Sequence, residues 1–374
     1  MRIGYDAKRA FKNFTGLGNY SRSVISIMAS YYPANEYYLY TSPYKPHASN
    51  VFAALPNIGI YQPKGFWRIF HSSWRSLKLA GLIKKDKIDI YHGLSHELPA
   101  GIQNSGAKSI VTMHDLIVLR YPHLYKAIDR NIYLQKYRMA CKYADLIIAI
   151  SRQTKDDLIN LMGVDERKIR LVYQSCDPQF YNLCTKTEKL SVKQKYKLPN
   201  NYILNVGTIE QRKNLVTIVR ALALLPSNVS LLAVGKPTEY MKTVKAEMEC
   251  LGLQHRIQFL HGAQFTDLPA IYQQAQTFVY PSVFEGFGIP ILEALNSRIP
   301  VITADMSSLP EVGGDAALYI EPEDSDTLAQ HIKTILHDKQ VRETMIEKGI
   351  TQAAKFREEQ IAKSLWAVYK ELVI

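Results

Sequence analysis

A chain of 374 residues is too long for one ordinary domain and fits two. With 47% hydrophobic residues it can fill sizeable cores, which excludes wholesale disorder, and no apolar run reaches the length of a membrane span. The formal net charge of +12 favours anionic partners, of which nucleic acid, anionic lipid and sugar diphosphates all qualify on charge alone.

The opening Met1-Arg2-Ile3-Gly4-Tyr5-Asp6 reads as a first strand and turn rather than a signal peptide, so a cytoplasmic location is expected. Cys141, Cys176, Cys184 and Cys250 show no C-x-x-C spacing and indicate neither a zinc site nor a disulfide framework. Strand-like runs alternate with helical patterns along the chain. In the first half they cover 2–5, 37–41, 88–92, 108–113, 146–150 and 169–172; in the second, 202–206, 230–235, 257–260, 277–280, 300–303 and 317–320. Alternation at this spacing predicts an α/β chain of two Rossmann-like, doubly wound domains with parallel sheets. The polar stretch Asp177 to Lys197 reads as the linker, giving domains of 1–178 and 198–357. Ligands of such sheets bind beyond the carboxyl ends of the strands, and in a two-domain version the ligand is expected between the domains.

After the first strand, Thr15-Gly16-Leu17-Gly18-Asn19-Tyr20 opens a helix, preceded by Phe14. Ser21 stands where a dinucleotide fingerprint needs its third glycine, which disfavours an NAD site. Between Lys64 and Lys85, Trp67, Phe70, Trp74 and Leu77 share helical spacing with cations between them. That pattern suits either a membrane-surface helix or a face packed on the sheet, and packing is the preferred reading. His114-Asp115-Leu116 ends the strand that runs to Met113, at the ligand-facing edge. There a histidine can bond a sugar hydroxyl or carry charge near phosphate, and Asp115 is a candidate to fix its ring. Ser151 reads as a helix cap.

In the second half, Asn205-Val206-Gly207-Thr208-Ile209-Glu210-Gln211-Arg212-Lys213-Asn214 runs from a strand edge into a helix, with two cations placed to meet an anion. His261-Gly262-Ala263 follows another strand. Tyr280-Pro281-Ser282-Val283-Phe284-Glu285-Gly286-Phe287-Gly288 then leads into a helix through Pro290 and Glu293. The glycines allow close backbone approach, and the amides with the helix N-terminus suit phosphate. Glu285 and Glu293 flank that place and suit hydroxyls, which together describe a sugar nucleotide. Ser307-Ser308-Leu309-Pro310-Glu311 follows the next strand, and the acidic run Glu321 to Asp326 is read as complementing a helix dipole rather than as a metal site. From Glu358 to Ile374 the tail is an amphipathic helix with Ile361, Leu365, Val368 and Leu372 on one face.

The Glu-seven-Glu spacing in PSVFEGFGIPILEA, with VTMHDL and TIEQRKN, resembles the retaining glycosyltransferases of family 4, which have the GT-B fold. The likeness covers nearly the whole chain and is most specific from Asn205 to Ala317. It implies that Glu285 meets the donor sugar and Glu293 the nucleotide ribose, and that His114 contacts donor sugar and phosphate. Arg212 and Lys213 would meet the diphosphate, and Gly16, Gly18, Gly207, Gly262, Gly286, Phe287 and Gly288 would bind substrate or donor. Thr208 departs from the arginine that family members often carry, and Tyr173 to Asp177 replaces a common Asn-Gly turn. Glu311 is expected to order the loop near the nucleotide, and the tail, 358–374, to pack back on the first, acceptor-binding domain. The implied reaction moves a hexose from a nucleotide sugar to a hydroxyl with retained configuration. It is expected to need no metal and no cofactor beyond the donor, since no Asp-x-Asp pair stands at a suitable strand edge. The motif variants resemble bacterial polysaccharide mannosyltransferases, so GDP-mannose is favoured over UDP-glucose or UDP-N-acetylglucosamine. The expected acceptor is a glycan or lipid-linked oligosaccharide at the inner membrane face, with peripheral contact to anionic lipid and no nucleic-acid partner. A sugar-nucleotide epimerase of the same fold and a non-catalytic nucleotide-sugar-binding protein are the alternatives.

Overall fold

The computed structural model describes residues 1–13, 15–44, 52–70, 74–75 and 77–373, so Phe14 and Ile374 lie outside the described residues. The chain divides into one unit of 1–174 with 358–374 and a second of 175–357.

The first unit is built on a seven-stranded sheet of order β3-β2-β1-β4-β5-β6-β7. Its strands are β1 (Arg2–Asp6), β2 (Glu36–Tyr40), β3 (Ile58–Tyr61), β4 (Ile90–Gly93), β5 (Lys108–Met113), β6 (Leu146–Ala149) and β7 (Ile169–Leu171). Every pairing is parallel, for example Ile3 with Tyr37 and with Ile90, so each crossover carries helix or turn over a sheet face. Burial on both faces explains the continuous apolar runs: Leu146-Ile147-Ile148-Ala149 is buried throughout. β3 lies outside the sequence-predicted set. It is a four-residue edge strand with no buried residue, and so offers little hydrophobic signal.

The second unit has a six-stranded parallel sheet of order β10-β9-β8-β11-β12-β13. Its strands are β8 (Tyr202–Val206), β9 (Ser230–Val234), β10 (Ile257–Leu260), β11 (Thr277–Tyr280), β12 (Val301–Ala304) and β13 (Ala317–Ile320). Strand order reverses between β1 and β4 in the first sheet and between β8 and β11 in the second. Those two places are the topological switch points at which open α/β sheets hold ligands.

Several expectations change. The stretch read as a linker belongs to the second unit and contains the helix Lys186–Tyr196, started by a capping box between Thr185 and Glu188. Only Val192 of that helix is buried, so its sequence carries almost no apolar period. The Trp67 to Leu77 stripe packs only in part: Trp74 is 4% exposed and Trp67 packs partly buried against the same core, but Phe70 is 48% exposed and Leu77 69%. Gly65–Arg68 is a short 3-10 turn. The helix Arg152–Met162 starts where Ser151 Oγ accepts from the Thr154 amide and ends on Gly163 in left-handed conformation. The acidic run supplies Asp324, whose side chain caps the helix Ser325–His337. The last helix, Glu358–Val373, packs within the first unit on the helix Gly16–Tyr31. Among the described residues, no helix is long and apolar enough to cross a membrane.

Candidate active site

Two loops leave the second sheet at its switch point, one after β8 and one after β11. The first begins at Gly207, whose φ of +150° few side-chain-bearing residues adopt, and continues through a 3-10 turn, Gln211–Lys213. Asn214, also at positive φ, then starts the helix Leu215–Ala223. The second runs from Pro281 to Gly288, where φ is +126°, into the helix Ile289–Asn296 with Pro290 in its first turn. The loops are tied together by the Val283 amide, which donates to the Arg212 carbonyl at 3.0 Å.

Their side chains form one buried ion cluster. Lys213 Nζ donates to Glu285 Oε1 at 2.5 Å, and Arg212 Nη1 lies 2.8 Å from the same oxygen. Arg212 also donates to the Phe284 carbonyl at 2.6 Å and to Glu210 Oε1 at 2.6 Å. Lys213 further bonds the Tyr280 hydroxyl and sits 4.7 Å from the centre of its ring. Burial alone would raise the Glu285 carboxyl, but Lys213 and Arg212 outweigh it and hold the group down at about 2. Burial pulls Lys213 down against the opposing pull of Glu285, while Glu285 and Glu210 raise Arg212 in spite of its burial. Two cations thus face two carboxylates. The expectation of two cations waiting for an anion is corrected: the chain supplies its own counter-charge, because unpaired charges at this depth would be costly.

Glu293 is the fifth residue of its helix, past the first turn, and has different neighbours. Tyr272 donates to its Oε2 at 2.7 Å, and burial, with the charge of Asp177, pushes its carboxyl up to about 7. The two glutamates of the motif therefore differ in state: one is a firm carboxylate, the other shares a proton near neutrality. Serines tie the loop down. The Glu285 amide donates to Ser307 Oγ at 3.0 Å, and Ser308 Oγ lies within hydrogen-bond distance of the carbonyls of Glu285 and Phe287. The Glu311 carbonyl accepts from Gln352. Phe287 offers no side chain to a ligand: its ring meets Phe356 edge-on and is 3% exposed. Gly286 lies half-buried between Glu285 and Phe287. Gly262, at φ +79°, has open space where a Cβ would stand, next to His261, whose Nδ1 pairs with the Gly235 carbonyl.

In the first unit His114 is buried just past β5. Its Nε2 pairs with the Leu94 carbonyl at 2.8 Å, so Nε2 carries the hydrogen and Nδ1 is left as an acceptor. Burial and the neighbouring His96 push its pKa down to about 3. It is a neutral imidazole at physiological pH, which removes the reading of a cation near phosphate. The Leu94 carbonyl holds the ring at Nε2, and Asp115 Oδ1 accepts from the Ile117 amide. A Cβ on Gly18 would stand 1.7 Å from the Asn13 carbonyl oxygen, whereas one on Gly16 would meet nothing.

Comparison with known proteins agrees with this architecture. A profile described as Glycosyl transferases group 1 matches residues 186–352, and one described as Glycosyltransferase Family 4 matches residues 24–180. O-antigen chain mannosyltransferase B of Escherichia coli is 33% identical over 289 residues, covering 76% of this chain and 74% of that one. The chain belongs to glycosyltransferase family 4. O-antigen chain mannosyltransferase RfbU of Salmonella typhimurium is 29% identical over 269 residues, 72% of this chain and 70% of that one. Among solved structures, Anabaena HepE in complex with UDP and glucose superposes with a TM-score of 0.76 at 18% identity, covering 99% and 100% of the two chains. WaaG, a glycosyltransferase involved in lipopolysaccharide biosynthesis, does so with a TM-score of 0.72 at 18% identity over 99% of each. The fold is GT-B.

The sequence of this glycosyltransferase concealed Tyr280 and Tyr272, which bond Lys213 and Glu293. Both are fully buried aromatics in apolar runs, and only their place beside the motif distinguishes them from core. Among the described residues no group of three or more His, Cys, Asp or Glu side chains is placed to hold a metal ion.

Proposed function

We propose that this glycosyltransferase moves mannose from GDP-mannose to a hydroxyl of a glycan or lipid-linked oligosaccharide in polysaccharide synthesis, with retention at the anomeric carbon. The observation that carries the reading is the buried Arg212–Lys213–Glu285 cluster at the switch point of the second sheet. The choice of mannose is supported by the relatives that are named O-antigen mannosyltransferases. As the bond from sugar to diphosphate breaks, negative charge grows on the phosphate. Cations already fixed by Glu285 and Tyr280 meet that charge without reorganising, which favours the transition state over the ground state. In this reading Glu285 accepts from sugar hydroxyls and Glu293 meets the ribose, able to donate as well as accept. His114 accepts from a sugar hydroxyl through Nδ1. The leaving phosphate takes the proton of the attacking hydroxyl on the same face, so no protein nucleophile is required. Arg212, Lys213 and backbone amides do the electrostatic work without a metal ion, and the reaction runs on the cytoplasmic side of the membrane.

The test is thermal unfolding with GDP, GDP-mannose, UDP, UDP-glucose and UDP-N-acetylglucosamine, each with and without magnesium. Ligand at a hundredfold over its dissociation constant adds about 2.7 kcal/mol. At roughly 2–4 °C per kcal/mol that moves the midpoint by several degrees. A shift with GDP compounds alone, unchanged by magnesium, is expected. A shift with UDP compounds alone overturns the donor assignment and favours a UDP-sugar donor, of the kind that the HepE structure's complex with UDP and glucose suggests.

A further inference from the structure

We propose that His96 is a positioning residue for sugar transfer: it fixes the backbone of His114, so that Nδ1 of that ring stays aimed and free to accept. The inference rests on the proposed role of His114 and deepens it. β5 ends at Met113, so the next amide, that of His114, leaves the ladder. It donates to His96 Nε2 at 2.7 Å, in a buried bond. An Nε2 that accepts leaves the hydrogen on Nδ1, so the two imidazoles are held as opposite tautomers. The loop after β4 thus grips His114 twice, by the Leu94 carbonyl on its ring and by His96 on its backbone. The His96 amide donates to the Thr112 carbonyl at 3.0 Å, which seats this loop on β5. The His114 carbonyl accepts from Thr154 Oγ1 at 3.1 Å, so side chains bond both of its backbone groups. Rings close the set: His96 meets His114 and Tyr137 edge-on, with centroids 5.1 Å and 4.8 Å away.

Two features mark His96 as kept for its side chain. Its φ is +60°, in the left-handed region where a β-carbon is strained and glycine is relaxed. Such strain persists only where the surroundings over-determine it, and it gathers at functional sites. The imidazole is also buried, and burial, with the charge of Arg9, pushes its pKa down to about 3. Nε2 therefore stays an acceptor at physiological pH.

Two variants of the full chain test it. His96→Gly takes the positive φ without strain but offers no acceptor, whereas His96→Gln brings an amide oxygen within reach of the same N–H. Nitrogen NMR of 15N-labelled histidine reads the tautomers with no ligand added. In the unaltered chain His114 is expected as the Nε2–H form and His96 as the Nδ1–H form. In His96→Gly the His114 signals move toward the average of the two tautomers, and in His96→Gln they return. Hydrolysis of GDP-mannose to GDP and mannose, with water in place of the acceptor, reads the chemistry. His96→Gly is expected to lower kcat about 10–100-fold, the scale for a misaimed group, with KM for GDP-mannose within about twofold. His96→Gln restores kcat to within about threefold of the unaltered chain. A role in stability alone predicts otherwise: the melting midpoint moves, while kcat and the His114 signals stay as they were. That result overturns the proposal. So does equal loss of kcat in both variants, or a His96 that carries its hydrogen on Nε2 in the unaltered chain. Absence of hydrolysis in the unaltered chain, with the signals behaving as expected, counts against the donor assignment alone and supports the hold on His114.

Discussion

In the proposed reading the donor's diphosphate meets the two cations that Glu285 already pairs with, and that sharing gives the residue-scale predictions. Glu285→Gln keeps the shape and removes the charge that occupies Lys213 and Arg212. Transfer is expected to fall by about 10²–10³, the scale for losing one preorganised polar contact to the reacting group. Nucleoside diphosphate, by contrast, is expected to bind more tightly, because the cations that meet its phosphates are no longer shared with a carboxylate. Calorimetric titration decides it: weaker binding would mean that Glu285 holds the nucleotide rather than the sugar. Glu293 predicts a pH effect of definite sign. Its folded pKa, about 7, lies above the ordinary 4.5. Between those values the folded chain keeps a proton that the unfolded chain releases, so this group makes stability fall as pH rises through about 4.5 to 7. Glu293→Gln removes that slope. The variant should gain on the unaltered chain by about 3 kcal/mol between pH 4 and 8. Parallel denaturant melts across that range check it, and a constant difference would exclude a raised pKa. The residue types were legible here because E-x7-E and R-K stand at strand ends. That the cations are already neutralised was not legible, since it depends on how Lys213 and Glu285, 72 residues apart, are brought together by two loops.

At the scale of elements, strongly apolar strands were legible and weakly buried pieces were not. Thr277–Tyr280 is wholly buried and reads as a strand from composition alone. The edge strand Ile58–Tyr61 and the helix Lys186–Tyr196 bury at most one side chain each, so hydrophobic period could not reveal them; in the helix, the Thr185–Glu188 capping box was the available signal. Glycine was legible as a residue with a purpose, but its purpose was not. Gly18 is fixed by packing against the Asn13 carbonyl, and Gly16 is free of such contact. Gly18→Ala therefore forces the turn before the helix apart, and should cost about 1–3 kcal/mol as an overpacked site. Gly16→Ala should be neutral or slightly stabilising, since alanine is the better helix former. Chemical denaturation of the two variants measures this directly. If Gly16→Ala melts normally yet loses transfer activity, its open backbone is where a ligand approaches; if activity also stays normal, Gly16 leaves the candidate site.

At the scale of the whole molecule, the chain order and the folding units do not coincide. The second unit is one continuous segment, whereas the first is completed only by the last helix, whose Ile361, Leu365 and Tyr369 are buried in it. Tyr369 is more than apolar filling. Its hydroxyl meets His92 Nδ1 at 2.7 Å and the Tyr5 hydroxyl at 3.1 Å, and His92 Nε2 reaches Thr112 Oγ1 at 2.7 Å, which in turn pairs with Tyr20 at 3.0 Å. Without the last helix, β1 and β4 would hold buried polar groups lacking their partner. In the intact chain burial, with the neighbouring His114, pushes His92 down to about 3, so its ring is a neutral partner to both hydroxyls. Two contacts separated by 277 and 364 residues must therefore close before the first core is satisfied, a late and entropically costly step. The expected outcome is asymmetric. A fragment of 175–357 folds alone and keeps the nucleotide response, while a fragment of 1–174 stays loosely packed until a peptide of 358–374 is added. Tyr369→Phe in the full chain isolates the polar part and should cost about 1–3 kcal/mol, the penalty for buried partners left unmade. Near-ultraviolet circular dichroism of the fragment with and without peptide is the deciding measurement. If 1–174 shows native signal and a sharp melt unaided, the last helix is an accessory rather than part of the first unit's core.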